Sequence, residues 1–114
     1  MESTAVQDEK LRMQHLCDCM RRMMQDGCFD ECSSLICKAM AESPDAAEPH
    51  NLLGILLEKQ GNHTQAMKHF RAAWALDPSC KAARYNMEFF SGWQLCGTCA
   101  YDDTDCSPAN RAKA

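Results

Sequence analysis

Apolar residues recur along the chain at helical spacing, and short polar turns interrupt them. Asn62, with Gln65 three residues later, has the form of a capping box at a helix start. No stretch rich in β-branched residues alternates apolar and polar positions, so we predict an all-α fold without strands. Five helices are expected, running from about Thr4 to Met24, Phe29 to Met40, Ala46 to Lys59, His63 to Leu76, and from a cap at Ser79 to Trp93.

The helical pattern itself repeats after 34 residues. A fixed period of this length is typical of stacked helical hairpins, each of which buries its apolar face against its neighbours. Glycine, alanine and proline recur unchanged at three pairs of positions: Gly27 with Gly61, Ala39 with Ala73, and Pro44 with Pro78. Other pairs keep apolar or small character: Cys19 with Leu53, Met20 with Gly54, Met23 with Leu57, Cys32 with Ala66, and Ile36 with Phe70.

Small residues in the second repeat are expected where helices approach closely. Gly54 is predicted at such a contact, because a side chain there would push the next helix away. Ala66 and Ala73 lie seven residues apart on one helix face, and Phe70 fills the space between them. Gly61 permits the positive φ that ends a helix.

These residues resemble the signature of the tetratricopeptide repeat family over roughly residues 13–94. The second repeat matches well, whereas the first departs from the signature at Met20 and Cys32, which replace glycine and alanine. The resemblance implies a right-handed helical-hairpin solenoid in residues 1–94. Its parts are two repeats, about 13–46 and 47–80, and a capping helix, about 80–93; residues 95–114 form an acidic, cysteine-containing tail.

Tetratricopeptide proteins are non-catalytic interaction scaffolds, so the resemblance implies a protein or peptide partner bound on the concave face. Tyr85, Phe89 and Trp93 would form an aromatic stripe there, since they are spaced four residues apart on one helix. Two interpretations remain open: a partner packs on this stripe, or the tail or a neighbouring chain covers it. The family's concave positions carry over to Cys17, Arg21, Asn51, Ile55, Glu58, Lys59, Tyr85, Phe89 and Trp93.

The chain has nine cysteines, an odd number that excludes a complete set of internal disulfides. Cys19 and Cys32 occupy packing positions of the repeat and are expected to serve as small apolar residues. Cys28 is predicted at a helix start, where backbone N–H groups stabilise a thiolate. It is therefore either a reactive thiol or an ordinary cysteine near the surface.

Cys96, Cys99 and Cys106 in the tail have the only metal-like spacing in the chain. A CxxC pair and a third cysteine supply three thiolates, whereas a structural zinc site needs four ligands. Cys80 could complete such a site only if the tail folded back. The open alternatives are a zinc site, a redox dithiol and a tail without thiol chemistry, and a metal-binding or redox protein is the alternative function.

Charge and hydropathy limit the partners and the cellular compartment that we expect for this chain. The net charge is −4 and the basic residues are scattered, so we expect no nucleic-acid partner. No apolar run is long enough for a membrane span, and the N-terminus lacks the pattern of a signal peptide. We therefore expect a cytoplasmic protein with reduced thiols, no cofactor and no enzymatic activity. The sequence leaves the oligomeric state open.

Overall fold

A computed structural model describes residues 4–93 and 99–106, apart from the side chains of residues 4–6 and 93. Five α-helices follow one another: α1 (Thr4–Gln25), α2 (Phe29–Glu42), α3 (Glu48–Lys59), α4 (His63–Leu76) and α5 (Lys81–Glu88). A π-helical turn continues from Phe89 to Trp93, and a 3-10 turn spans Asp103–Cys106. No strand occurs within these two ranges, so the predicted all-α class is confirmed there.

The fifth helix differs most from the prediction. Its α-helical part ends at Glu88, and the π-helical turn that follows is kinked at Gly92, whose φ is +94°. Ser79 is not its cap, because the N-cap position belongs to Cys80. The Asp77 carboxylate instead accepts hydrogen bonds from both the amide and the hydroxyl of Ser79, at 3.0 and 2.6 Å. Ser79 therefore belongs to the turn before α5.

The turns that end α1 and α3 have the same hydrogen bonds, 34 residues apart. Gly27 and Gly61 have positive φ values of 79° and 82°, a conformation that glycine adopts without strain. The residue after each glycine donates its N–H to the carbonyl five residues back, at 3.0 Å from Cys28 and 2.8 Å from Asn62. Such a bond satisfies a carbonyl that the helix end leaves without a partner. The sequence period is thus matched by a period in backbone geometry.

The ends of α2 and α4 correspond in the same way. Ser43 and Asp77 each donate their N–H to the carbonyl four residues back, at 2.8 and 3.0 Å. Asn62 also caps α4 as expected, because its side-chain oxygen accepts the N–H of Gln65. The two helix pairs therefore have closely similar backbone contacts at the turn between their helices and at the end of the second helix.

The closest helix–helix contact lies where Gly54 of α3 meets Phe70 of α4. A methyl group added at Gly54 would overlap the ring of Phe70. Phe70, Ala66 and Ala73 are all fully buried, as their predicted packing role requires. Cys32 is fully buried in the same core, whereas Cys19 is half-buried at its edge.

The helices pack in chain order, and the odd-numbered helices also contact one another. Each helix from α1 to α5 contacts the next, α1 also contacts α3, and α3 also contacts α5. We call the surface that α1, α3 and α5 form together the inner face. One apolar cluster joins α1–α4 around Met20, Ile36, Leu52 and Phe70. A second joins α4, α5 and Ala47, the residue before α3, around Ala73, Ala83 and Tyr85.

We predict that Ala66→Leu lowers the free energy of unfolding by about 1–3 kcal/mol, because the fully buried site has no room for three more carbon atoms. Ala75→Leu is the matched control, since Ala75 is exposed on the same helix and should change stability by less than about 0.5 kcal/mol. Urea unfolding monitored by circular dichroism measures both values. Equal effects of the two substitutions would contradict the close contact between α3 and α4.

Candidate functional site

The inner face is occupied by residues of the chain itself. Cys99–Cys106, which we call the tail segment, lies against α1, α3 and α5 through hydrogen bonds to side chains or backbone on each helix. Ala100 and Tyr101 of this segment are buried, with 0% and 6% of their surface exposed. The tail therefore folds back onto the helices, in the position that the sequence analysis assigned to a partner or to the tail.

Two asparagines hold the backbone of the tail segment at Ala100. The Asn86 side chain accepts the Ala100 N–H at 2.7 Å and donates to the Ala100 carbonyl at 2.8 Å. Asn51 donates to the same carbonyl at 3.0 Å, and its own oxygen accepts a hydrogen bond from Asn86 at 2.7 Å. A carboxamide that binds both polar groups of one residue imitates the pairing of a neighbouring β-strand. This recognition reads the peptide backbone rather than a particular side chain.

Because the two asparagines are buried, their hydrogen bonds to Ala100 fix the position of the tail. Asn51 and Asn86 are 1% and 0% exposed, so their amide groups have no access to water. A buried polar group without a partner costs about 1–3 kcal/mol. Within the described part of the chain every buried side-chain nitrogen and oxygen has a hydrogen-bond partner. The peptide group of the tail segment supplies the partners that Asn51 and Asn86 need.

Next to this network, Arg21 of α1 binds the side chains of the tail segment. Its guanidinium lies 5.6 Å from the centre of the Tyr101 ring, within the range of a cation–π contact. One of its nitrogens also lies 3.0 Å from Asp102 and 2.9 Å from Asp105. Desolvation alone would lower the pKa of Arg21, but its hydrogen bonds to Asp105 and Asp102 raise it. Arg21 is thus a cationic site for two carboxylates and an aromatic ring.

The carboxylates of the tail segment are held by several donors. Asp102 accepts hydrogen bonds from the side chain of Gln14 at 2.9 Å and from the amide of Thr104 at 3.0 Å. Desolvation tends to raise the pKa of Asp102, but its hydrogen bonds to Thr104, Gln14 and Arg21 lower it below the usual value. Asp105 accepts the Tyr101 N–H at 3.0 Å, which closes the segment into a compact turn.

Asp103 of the tail segment caps α5 from outside. Its carboxylate accepts the N–H of Ala82, the second residue of that helix, at 2.9 Å. The N-cap residue Cys80 makes no side-chain hydrogen bond to the helix. A carboxylate at a helix N-terminus satisfies a free N–H group and interacts favourably with the helix dipole. The tail thus performs the capping role that the sequence pattern assigned to Ser79.

The predicted binding residues fall into a buried and an accessible group. Cys17, Asn51, Ile55 and Tyr85 are buried, and Tyr85 shares an apolar cluster with Ala100. The accessible group borders an open cavity of about 490 Å³ and consists of Arg21, Glu58, Lys59 and Phe89. The side chain of Trp93 lies outside the described part of the chain.

The open cavity extends the inner face beyond the tail segment. Its apolar wall consists of Phe89 and Phe90, whose rings meet edge to face with centroids 5.0 Å apart. Lys59 and Gln25 contribute polar groups at its rim, and Cys99 and Tyr101 form its boundary with the tail. Among the described residues, this cavity combines an aromatic surface with basic and acidic side chains, and it is open to solvent.

Burial makes the thiols under the tail segment unreactive. Cys17 is 1% exposed, and burial, followed by the carboxylates of Glu48 and Asp102, raises its pKa well above the usual value. Burial also raises the pKa of Cys80, to about 11. The reactive alternative for Cys28 is not supported, because desolvation and the carboxylates of Glu31 and Asp26 raise its pKa. A helix start alone does not produce a thiolate beside two acidic residues.

The structure gives no support to thiol chemistry in the described part of the tail. Burial raises the pKa of Cys99, which disfavours the thiolate that metals and disulfide exchange require. Cys99 borders the first apolar cluster and Cys106 the second. Among residues 4–93 and 99–106, no group of three histidine, cysteine or acidic residues is placed to hold a metal ion. The predicted ligand Cys96 lies outside these ranges.

Two histidines, His50 of α3 and His69 of α4, meet between these helices. The Nδ1 atoms of His50 and His69 are 3.2 Å apart, and their rings are stacked with centroids 5.5 Å apart. Burial lowers the pKa of both side chains, which favours their neutral forms at pH 7. Two neutral imidazoles can share one N–H···N hydrogen bond, so the pair helps to hold the two helices together.

The chain was also compared with known proteins. No protein-family model, no curated protein and no solved structure matched it. None of the helices in the described ranges has both the length and the apolar character that a membrane crossing requires.

Asn86 is the residue of this site that sequence reasoning missed. It directly follows Tyr85, and the predicted binding surface of this helix consisted of aromatic side chains only. A signal did exist, because Asn51 and Asn86 occupy helices that the period of 34 residues places on one face. Buried amides on adjacent helices are a sign of backbone recognition, since each must find a partner.

We predict that Asn51→Ala and Asn86→Ala are strongly coupled. Each substitution should lower the free energy of unfolding by about 2 kcal/mol, because it leaves buried polar groups without partners. In the double variant, the free energy of unfolding should fall by at least about 1 kcal/mol less than the two single losses added together. The reason is that both side chains bind the same carbonyl.

The matched comparison is Asn62→Ala combined with Asn86→Ala. Asn62 caps α4 and shares no hydrogen-bond partner with Asn86 among the bonds described above, so these two effects should add within about 0.5 kcal/mol. Urea unfolding of the six proteins gives all the required values. Additive effects of Asn51→Ala and Asn86→Ala would show that Ala100 is not held between the two amides.

Proposed function

We propose that this chain is a non-catalytic protein-interaction module, built as a right-handed helical-hairpin solenoid of the tetratricopeptide type. Two repeats and a capping helix α5 would form it. The equivalent turns after α1 and α3, with φ of 79° at Gly27 and 82° at Gly61, support a repeated hairpin. Contacts between α1 and α3 and between α3 and α5 support stacking, because the first helices of successive hairpins adjoin in such solenoids.

A single observation carries the functional part of the proposal: the inner face binds a peptide by its backbone. Asn86 makes two hydrogen bonds to Ala100, of 2.7 and 2.8 Å, and Asn51 makes a third of 3.0 Å. None of these bonds requires that the bound residue be covalently joined to α5. A segment of another protein could therefore occupy the same position with the same geometry.

The open cavity gives a partner room beyond that position. Phe89 and Phe90 present aromatic surface there, and aromatic side chains often dominate the binding energy of an interface. Arg21, Lys59 and Glu58 also line the cavity, so charges of both signs can orient the bound segment. This mixture of aromatic floor and charged rim suits a peptide better than a small metabolite.

The proposed setting is the cytoplasm, as expected from the sequence. Buried cysteines such as Cys17, Cys32 and Cys80 are free thiols, which fits a reducing compartment. The alternative of a metal-binding or redox protein depends on Cys96 together with Cys99 and Cys106. Cys99 is partly buried and its pKa is raised by desolvation, which gives that alternative no advantage.

A random peptide library panned on the purified protein tests this function. We predict that selected peptides bind on the inner face, so that Phe89→Ala weakens their binding by about 2 kcal/mol, or roughly 30-fold. Trp74→Ala is the matched control, because Trp74 is an exposed aromatic residue on α4, outside the inner face. Calorimetric titration gives the dissociation constants.

Thermal melting of the same variants separates binding from folding. An unchanged melting temperature with weakened binding supports the inner face as the binding surface. A lowered melting temperature with unchanged affinity in the folded fraction would contradict it. Peptides whose binding depends on Trp74 would place the interaction elsewhere and also contradict it.

A further inference from the structure

The tail segment shows which chemistry the inner face accepts. Ala100 is fully buried between the helices, so only a small side chain fits at that position. The next residue, Tyr101, packs its ring against the guanidinium of Arg21. Asp102 and Asp105 then bind one nitrogen of Arg21 at 3.0 and 2.9 Å. The pattern accepted by the face is a small residue, a tyrosine and two carboxylates.

The tail segment does not fill the surface that it covers. The open cavity of about 490 Å³ lies on one side of Tyr101. A second cavity of about 290 Å³ lies on the other side, bordered by Gln14, Cys17 and Asn51 on the helices and by Asp102 on the tail. The helical core is packed much more tightly, since Gly54 has no room for a methyl group beside Phe70. A longer or bulkier segment could therefore make contacts that the tail leaves unmade.

The ion pairs that hold the tail are also partly exposed to solvent. The side chain of Arg21 is 28% exposed, and that of Asp105 is 25% exposed. Water and salt weaken such pairs, and exposed ion pairs contribute little free energy each. Every contact of the tail segment with Arg21, Asn51 and Asn86 could be replaced by the same contact with another chain. These features fit a bound segment that can leave while the helices stay folded.

We propose that the tail segment is a built-in competitor for the inner face, and that the partner presents an acidic, tyrosine-containing segment with a small residue before the tyrosine. This inference rests on the proposed function of the inner face as a peptide-binding surface. Partner binding then requires displacement of the tail segment, so any change that weakens the tail raises the affinity for the partner. Arg21 is the residue that gives the face its preference for acidic segments.

Cys17 provides a chemical readout of tail displacement. It lies beneath the tail, in one apolar cluster with Tyr101, and is 1% exposed. Cys32 belongs to the same cluster but lies on α2, away from the inner face, and is 0% exposed. Of these two thiols, displacement of the tail would expose only Cys17, whereas unfolding would expose both. Alkylation rates of the two cysteines, read by mass spectrometry, therefore distinguish the two events.

The test variant carries Asp102→Asn with Asp105→Asn, which removes the two tail charges that pair with Arg21 but keeps the size and one acceptor oxygen of each side chain. We expect Cys17 to be alkylated at least about tenfold faster than in the original chain, because the rate follows the population of the opened state. Cys32 should remain protected. Asp18→Asn is the matched control, since Asp18 also binds Arg21, at 3.1 Å, but belongs to α1. It should leave the Cys17 rate within about twofold.

The probe for the partner is a synthetic peptide with the sequence of residues 100–105, acetylated and amidated at its ends. Added in excess to the double variant, it should protect Cys17 again, and peptides with serine for tyrosine or asparagine for aspartate should protect at least about tenfold less well. Arg21→Gln in the double variant should abolish the discrimination between aspartate and asparagine peptides, while protection by the backbone contacts weakens less.

Three results would overturn the inference. Parallel alkylation of Cys17 and Cys32 in the double variant would show that the tail is an inseparable part of the fold. Failure of the peptide to protect an exposed Cys17 would show that the face does not recognise this chemistry. Protection that rises with protein concentration, together with dimers in light scattering, would assign the face to a second copy of this chain.

The proposed function is judged separately by the peptide library. Library ligands that depend on Phe89 but contain neither tyrosine nor acidic residues would support the function and remove only the inference. A library without inner-face ligands, combined with protection by the tail peptide, would restrict the face to the chain's own segment and contradict binding of a partner.

Discussion

The position of the tail depends on one residue's peptide group bound between two buried asparagines. Asn86 and Asn51 lie on α5 and α3, and each is held by its helix at a point where water cannot reach it. Their amide groups need partners, and Ala100 supplies an N–H and a carbonyl at hydrogen-bonding distance. The neighbouring contacts of Tyr101, Asp102 and Asp105 with Arg21 follow from that anchor, because it fixes where the chain runs. The tail is therefore positioned by hydrogen bonds to its backbone, and the contacts of Arg21 with Asp102 and Asp105 add to them.

The helical framework makes this anchor possible. Gly54 and Phe70 bring α3 and α4 close together, and the turns at Gly27 and Gly61 reverse the chain with similar geometry. This packing places α1, α3 and α5 on one side, so that residues far apart in sequence share one surface. Asn51 and Asn86 belong to α3 and α5, so the pair of helices α3 and α4 alone would not contain both amides. The stacked arrangement is what makes a backbone-binding surface available.

The sequence predicted the helices well because their determinants are local. Gly61, Asn62 and the periodic apolar residues act within a few positions of themselves, and α4 has the predicted bounds His63–Leu76. The shorter α5 and the role of Asp103 as its cap could not be predicted, since they depend on a contact between residues distant along the chain. The same reason explains why the pairing of Asn51 with Asn86 was missed. The sequence left two alternatives for Cys28, and the raised pKa of its thiol, caused by desolvation and then by Glu31 and Asp26, disfavours the thiolate.

Hydrogen exchange at the amide of Ala100 tests the central claim most directly. This N–H donates to Asn86 inside the inner face, so the account predicts exchange at least about tenfold slower than in an unstructured peptide. The proposed displacement of the tail segment by a partner requires that this protection stay clearly below that of the Phe70 amide in the helical core. Exchange at the rate of an unstructured peptide would contradict the bound position of the tail. Protection equal to that of Phe70 would contradict its displacement by a partner.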